Sequence, residues 1–274
     1  MKRATSAVLA APAAVVGLLF FALPLGALLV DALGEGGGAF ARVLALPTFW
    51  PSLAGSAVLT LVAASVSTLV GLAVAVHLAS MPERQRTMLS FVIALPLTFS
   101  GLIVAYGFIL AWGRAGFFTQ LLAMAGADAA VVGGALFTPV GLAFASSYYL
   151  IPRVVMALLP VLVNFDRTQL IAAESLGATR AQAFRQVLLP QIAGPVAGAA
   201  CLVAAVVFGA YGTALALVGT QLRILPLQLY SLVSETGSDF PAAAALALLI
   251  TAACSAMMAV GEAFGSRHER HLAA

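Results

Sequence analysis

A chain of 274 residues of which 62% are hydrophobic and 8% charged has too few charges to cover a surface facing water, since a soluble domain carries roughly a quarter. The mean hydropathy of +1.08 agrees, so lipid is the solvent for most of the chain. The net charge of +3 comes from basic residues standing singly or in pairs, with no long run and no aromatic interleaving to track a phosphate backbone, which excludes nucleic acid as a partner.

A spanning helix needs about 20 mostly apolar residues to cross roughly 30 Å of hydrocarbon. Six stretches meet that requirement: Ala7–Val30, Leu53–Ala79, Leu89–Trp112, Leu136–Leu159, Ala193–Val218 and Ala242–Ala263. None alternates in the manner of a barrel strand, and helices satisfy their own backbone groups in lipid. The expected fold is therefore all-α, a single polytopic domain over residues 1–274 with about six transmembrane helices. Met1-Lys2-Arg3 before an apolar run resembles a secretory signal peptide. The run is longer than a typical apolar signal core and no small-residue cleavage site closes it, so it reads as the first span. Cys201 and Cys254 both fall inside apolar stretches and read as small packing residues.

With the N-terminus inside, one face collects Lys2, Arg3, Arg84, Arg86, Arg153, Arg167, Arg180, Arg185, Arg267 and Arg270, the other only Arg42, Arg114 and Arg223. Basic residues gather on the cytoplasmic side, so both termini are expected there. The connections Gly34–Ser52, Gly113–Ala135 and Gly219–Pro241 then become periplasmic loops holding short turns or helices. Met81–Thr87 is a tight cytoplasmic turn, and Pro160–Ile192 is the one long cytoplasmic segment.

Charge inside a bilayer is costly and marks ion or proton coupling where it occurs. Asp31 and Glu262 lie at predicted helix ends, and His77 near the end of the second span, so all three read as interfacial or packing residues. No carboxylate or histidine constellation has metal-binding or general acid–base spacing, which leaves an enzyme without machinery. A phosphate-binding loop needs a lysine after its glycine-rich turn, and Lys2 is the chain's single lysine. The chain is thus expected to bind no cofactor, and any ATP-driven step belongs to another polypeptide.

Residues 166–190 read as two short helices with a bend. Asp166 suits an N-cap with Gln169 in the capping-box position, and Leu170, Ala173 and Leu176 form an apolar edge. Gly177 suits a left-handed C-terminal cap; Thr179 restarts the chain with Gln182 three residues on; Phe184, Val187 and Leu188 make a second apolar edge; and Pro190 bars simple continuation. Such a pair either lies flat on the bilayer or projects as a knob into a partner's groove. Ala172 and Ala173, which permit close helix approach, and the bend at Gly177 favour the knob.

This segment resembles the cytoplasmic signature loop of ABC importer permeases: an E-A-A triplet, a glycine four residues after its last alanine, then an apolar-x-Leu-Pro ending. Ala172, Ala173, Gly177, Val187, Leu189 and Pro190 fall in register; Ile171 replaces the usual Glu, and Glu174 lies within the spacer. Leu95-Pro96-Leu97, Tyr211-Gly-Thr-Ala and Leu225-Pro226-Leu227-Gln228-Leu229-Tyr230-Ser231 resemble the branch that imports spermidine/putrescine, ferric iron, thiamine or aminoethylphosphonate. The resemblance implies a type I importer permease fold, a second permease subunit, homologous or identical, two copies of an ABC ATPase that bind ATP and Mg, and a periplasmic substrate-binding protein. It also implies alternating access, driven by ATPase closure on the loop helices. Asp166, Ala172, Ala173, Glu174, Leu176, Gly177, Leu189 and Pro190 would then form the coupling surface, with Phe184 as apolar anchor and Arg180 and Arg185 as rim contacts.

Tyr148, Tyr149, Tyr211 and Thr213 are the polar-tipped candidates for the substrate path, each equally suited to packing between helices. Gly194 and Gly198 form a GxxxG pair suited to close helix contact. Gln221, Arg223 and Glu235 are candidates for contact with the binding protein. A stand-alone channel or facilitator uncoupled from ATP is the competing reading, and it leaves the bend at Gly177 without a purpose.

Overall fold

The computed structural model describes the backbone of residue 12 and of residues 15–34, 36–234 and 239–272, and their side chains except at 220 and 266–272. Among the described residues the regular elements are all helical. We number them α1 Val15–Leu33, α2 Gly38–Ala45, α3 Phe49–Ala79, α4 Glu83–Ala94, α5 Gly101–Trp112, α6 Phe117–Met124, α7 Ala129–Ala135, α8 Pro139–Val163, α9 Thr168–Ser175, α10 Arg180–Phe208, α11 Gly212–Val218, α12 Leu225–Ser234 and α13 Phe240–Leu272. Among the described residues six helical tracts are long and apolar enough to cross a membrane, namely α1, α3, Gly101–Met124, α8, α10 and Phe240–Gly265 within α13. The all-α, six-span expectation holds.

Two expected spans are broken. The stretch read as Leu89–Trp112 is α4, one 3-10 turn at Leu95–Thr98, extended residues at 99–100, and then α5. Pro96 cannot supply the N–H that would continue α4, and Ser100 caps α5 by accepting from the Ile103 N–H at 3.4 Å. The stretch read as Ala193–Val218 begins earlier, at Arg180, and stops at Phe208, with α11 following after residues 209–211.

Pro190 does not end the second loop helix, contrary to expectation. Among the described residues two π turns occur, at Leu18–Ala22 and Phe184–Leu188, and each precedes a proline, Pro24 and Pro190, by two residues. A proline ring crowds the carbonyl four residues back. In the wider turn the N–H groups of Leu23 and Leu189 reach five residues back, to Leu18 and Phe184, and the helix passes through the proline. The second loop helix is thus the first turn of span five.

The core rests on small residues. Along α3, Ser52, Ser56, Thr60, Ala63, Ser67, Gly71, Ala75 and Leu78 are buried at steps of three or four, one stripe of a helix. Short side chains let backbones approach closely where lipid offers no hydrophobic drive for helix association. Gly71 meets α8 so closely that a Cβ there would lie 2.6 Å from Val154 Cβ. Ser67 Oγ donates to Ser147 Oγ at 3.5 Å, and Ser56 Oγ accepts the Leu225 N–H at 2.9 Å, drawing the start of α12 onto α3. In α10 and α13, Gly261 backs onto Cys201, and Cys254 donates to the Ala205 carbonyl at 3.5 Å; both cysteines are free thiols in packing roles. Gly194 is buried, and Gly198 faces Gly261 of α13, where a Cβ built on Gly261 would lie 3.3 Å from the Gly198 Cα.

Arg42 of α2 clamps the entry to α13. Its Nε and Nη2 donate to the two Asp239 carboxylate oxygens at 3.1 and 3.2 Å, and Asp239 Oδ1 also accepts the Ala242 N–H at 2.9 Å. The hydrogen bond from Arg42, then that from Ala242, holds the Asp239 carboxyl below the usual carboxylate range.

Candidate coupling segment and membrane cavity

The segment between α8 and α10 is built by local hydrogen bonding. Asp166 Oδ1 accepts from the Thr168 hydroxyl at 2.7 Å and the Thr168 N–H at 3.0 Å, and these bonds lower its pKa. The capping box expected with Gln169 is not made. Gln169 Oε1 instead accepts from Gln191 Nε2 at 2.6 Å, pinning α9 to α10, while an Arg167 guanidinium nitrogen donates to the Ala79 carbonyl at the end of α3. At the far end of α9, Gly177 adopts φ +94°. Its N–H bonds to the Glu174 carbonyl at 3.0 Å and that of Ala178 to the Ala173 carbonyl at 3.1 Å, a complete Schellman cap. Thr179 and Gln182 then form the expected capping box, with bonds of 3.3 and 2.8 Å.

This geometry divides the apolar edges differently from the sequence reading. Leu170 and Ala173 turn inward, but Leu176 lies in the cap and is 90% exposed. Ile171, where the resemblance puts Glu, is 63% exposed, and Phe184 is 36% exposed. Ala183 and Leu188 are buried, and Phe184 lines a cavity of about 400 Å³ with His77, Phe165, Leu170 and Arg180. Ala172, Glu174, Arg180, Arg185 and Pro190 are exposed and Leu189 is half-buried; Glu174 and Arg180 pair at 3.9 Å on the surface, a contact of little energetic weight.

Gly177 is the position where the backbone itself demands glycine. No heavy atom lies within 4 Å of a Cβ built there, so a substitution meets no clash and pays only for left-handed backbone, about 1–2 kcal/mol. Gly177→Val is expected to distort the projection while leaving the melting temperature of the detergent-solubilised chain almost unchanged, with Gly177→Asn milder. A fall of many degrees in Gly177→Val would show that the bend supports the helical body.

Within the body, the breaks in the third and fifth apolar stretches meet. The ends of α4 and α10 and the starts of α5 and α11 surround a cavity of about 320 Å³, which Tyr149 and Arg153 of α8 also line. Tyr149 Oη and Thr213 Oγ1 share a buried hydrogen bond of 3.4 Å. Gly101 permits the approach, since a Cβ there would fall 2.4 Å from Thr213 Oγ1. Of the four expected path residues, Tyr149 and Thr213 come together here. Tyr148 faces Phe108, ring centroids 5.8 Å apart, in a neighbouring apolar cavity, and Tyr211 packs against Tyr230 at 5.6 Å. Gln221 and Arg223 are exposed, and Glu235 lies outside the described residues.

Arg153 requires a correction. The sequence reading places it on the basic face, but it sits inside α8, which runs on from residue 153 to residue 163, about 15 Å further along the axis. Its Nε is buried without a hydrogen-bond partner. Tyr149 and Arg153 stand four residues apart on one helix face, the signal by which the sequence could have paired them.

Comparison with known proteins places this geometry. The family model for the binding-protein-dependent transport system inner membrane component matches residues 68–272. Sulfate permease 2, chloroplastic, of Chlamydomonas reinhardtii is 31% identical over 180 residues, covering 66% of this chain and 47% of that protein. The spermidine/putrescine transport system permease protein PotB of Salmonella typhimurium is 30% identical over 160 residues, 58% of this chain and 55% of PotB. The sulfate transport system permease protein CysT of the same species is 32% identical over 163 residues, 58% of this chain and 54% of CysT. The chain thus spans about half the length of the curated relatives it matches. In fold it is similar to a chain of a bacterial alginate ABC transporter crystallised with an alginate pentasaccharide-bound periplasmic protein, with a TM-score of 0.78, 16% identity, and coverage of 97% of this chain and 95% of that one. With six apolar helical tracts, a matching fold and a family match over most of its length, the chain belongs to the binding-protein-dependent transport system inner membrane components, a family of multi-pass membrane permeases.

Proposed function

We propose that the chain is the membrane-spanning permease of an ATP-driven importer in the bacterial inner membrane, with both termini cytoplasmic. It passes a small solute from a periplasmic binding protein to the cytoplasm by alternating access. The observation that carries this reading is the projection between α8 and α10, in which a capped helix, a left-handed glycine and an exposed Leu176 stand out from the body while the outgoing chain is already the first turn of a membrane helix. An ATPase subunit holding ATP and Mg seats on this projection, two copies serving a pair of permeases, and its closure turns α10 directly. Leu176 and Ile171 supply exposed apolar contact, Phe184 supports them from the cavity below, and Arg180 and Arg185 form the rim. Gln221 and Arg223, on the opposite side of the membrane, face the binding protein. The family's description and the printed functions of PotB and CysT support the reading.

The test is purification of the tagged chain from its native membranes in mild detergent, followed by reconstitution into vesicles with its co-purifying partners. The expected result is a P-loop ATPase in equal number with permease subunits and uptake that stops when ATP is withdrawn. Uptake that continues without ATP and with no ATPase bound would establish the facilitator instead.

A further inference from the structure

We infer that the cavity around Arg153 is an anion-selective stretch of the substrate path, so that the transported solute is a small anion; this rests on the importer reading above. Three observations converge. The cavity lies deep in the body: Arg153 is ten residues from the end of α8 at Val163, and Pro96, which also lines it, is thirteen residues beyond the start of α4 at Glu83, about 20 Å along the helix axis. Its lining holds one charge and no carboxylate. Besides Arg153 the polar groups are the hydroxyls of Ser100, Tyr149 and Thr213, each able to donate to an oxyanion. Finally, Arg153 Nε is buried and unpartnered, although the neighbouring Tyr149 and Thr213 hydroxyls satisfy one another at 3.4 Å.

A guanidinium at this depth is held at a cost that a counter-charge offsets. Among the lining residues nothing supplies one, whereas the two broken helices leave about 320 Å³ of space beside it. The start of α5, a helix of 12 residues whose cap Ser100 is exposed on the cavity wall, adds the positive end of its dipole to the same field. A cationic solute would meet the guanidinium head-on, but an anion carrying oxygen acceptors would find a charge-assisted donor and hydroxyl donors around it.

The field is measurable without knowing the solute. In a Ser100→Cys chain with Cys201→Ala and Cys254→Ala, kept in native membranes with its partners, the thiol is labelled with the anionic sulfonatoethyl methanethiosulfonate and the cationic trimethylammonioethyl methanethiosulfonate. The uncharged methyl reagent serves to normalise for access and folding. The anionic-to-cationic rate ratio, corrected for the reagents' rates with a free thiol, is expected to favour the anion. It should fall about tenfold or more in Arg153→Gln and be largely kept in Arg153→Lys. A ratio that already favours the cation, or one that Arg153→Gln leaves unmoved, overturns the assignment; the latter would mean that a partner's carboxylate neutralises Arg153 in the assembly. ATPase co-purification, scored on the same membranes, reports separately on the importer reading, so either can fail without the other.

Discussion

Leu176→Asp should release the ATPase while leaving the permease folded. Leu176 is 90% exposed, so its side chain contributes nothing to packing within the chain, and a carboxylate there is fully solvated in the isolated protein. If Leu176 is the apolar tip that enters a partner's groove, burying a charge in its place costs the complex as much as losing an anchor residue, roughly 2–4 kcal/mol, or about 30- to 1,000-fold in affinity. The measurements are ATPase retained per permease after affinity purification, and the melting temperature of the permease alone. Retention should collapse with the melting temperature unchanged. Phe184→Ala makes the informative contrast, because Phe184 is 36% exposed and also lines the cavity against α3, so both readings should fall together. A Leu176→Asp complex that keeps its ATPase and transports normally would remove the projection from the mechanism.

Gly71→Ala is expected to destabilise the membrane body through a direct clash between α3 and α8. The added Cβ would lie 2.6 Å from Val154 Cβ and 3.2 Å from the Ile151 carbonyl oxygen, both on a helix that cannot step aside without disturbing the cavity at Arg153. Overpacking of this kind costs about 1–3 kcal/mol, and the detergent melting temperature should drop accordingly. Gly26→Ala in α1 is the control. No heavy atom lies within 4 Å of a Cβ at that site, and alanine is the better helix former, so stability should hold or rise. Equal melting temperatures for Gly71→Ala and the parent would mean that α3 and α8 pack less tightly than described.

Fold class, span number and the helix–glycine–helix bend at Gly177 were legible because each rests on a local signal. Apolar length needs no tertiary knowledge, and the caps at Gly177 and Thr179 depend on residues only a few positions apart. What escaped depends on distant contacts. The break at residues 95–100 carries local signals in Pro96 and Ser100 that the length of the apolar run masked, whereas nothing local announces that residues 209–211 meet it across the cavity. Arg153 counts toward the basic face in a tally by sequence position, although the expected span Leu136–Leu159 encloses it and only the cavity beside it shows its place. The small-residue stripe of α3 was open to view in Ser52, Ser56, Thr60, Ala63, Ser67, Gly71 and Ala75, a longer close-packing signal than the single pair Gly194 and Gly198. Pro190 misled for a different reason, since proline ends a helix only when the preceding turn keeps regular hydrogen bonding.

The widened turn at Phe184–Leu188 sets the phase between the two ends of α10. One inward stripe runs Ala183, Leu188, Ile192, Ala199, Val203 and Val207, with Gly194 and Phe208 buried beside it, so the stripe takes one step of five and then resumes steps of four or seven. One additional residue is thereby absorbed without turning either end away from its neighbours. If a partner seats on the projecting end, the fixed phase of this helix carries any rotation there to the intramembrane end with the angle already set.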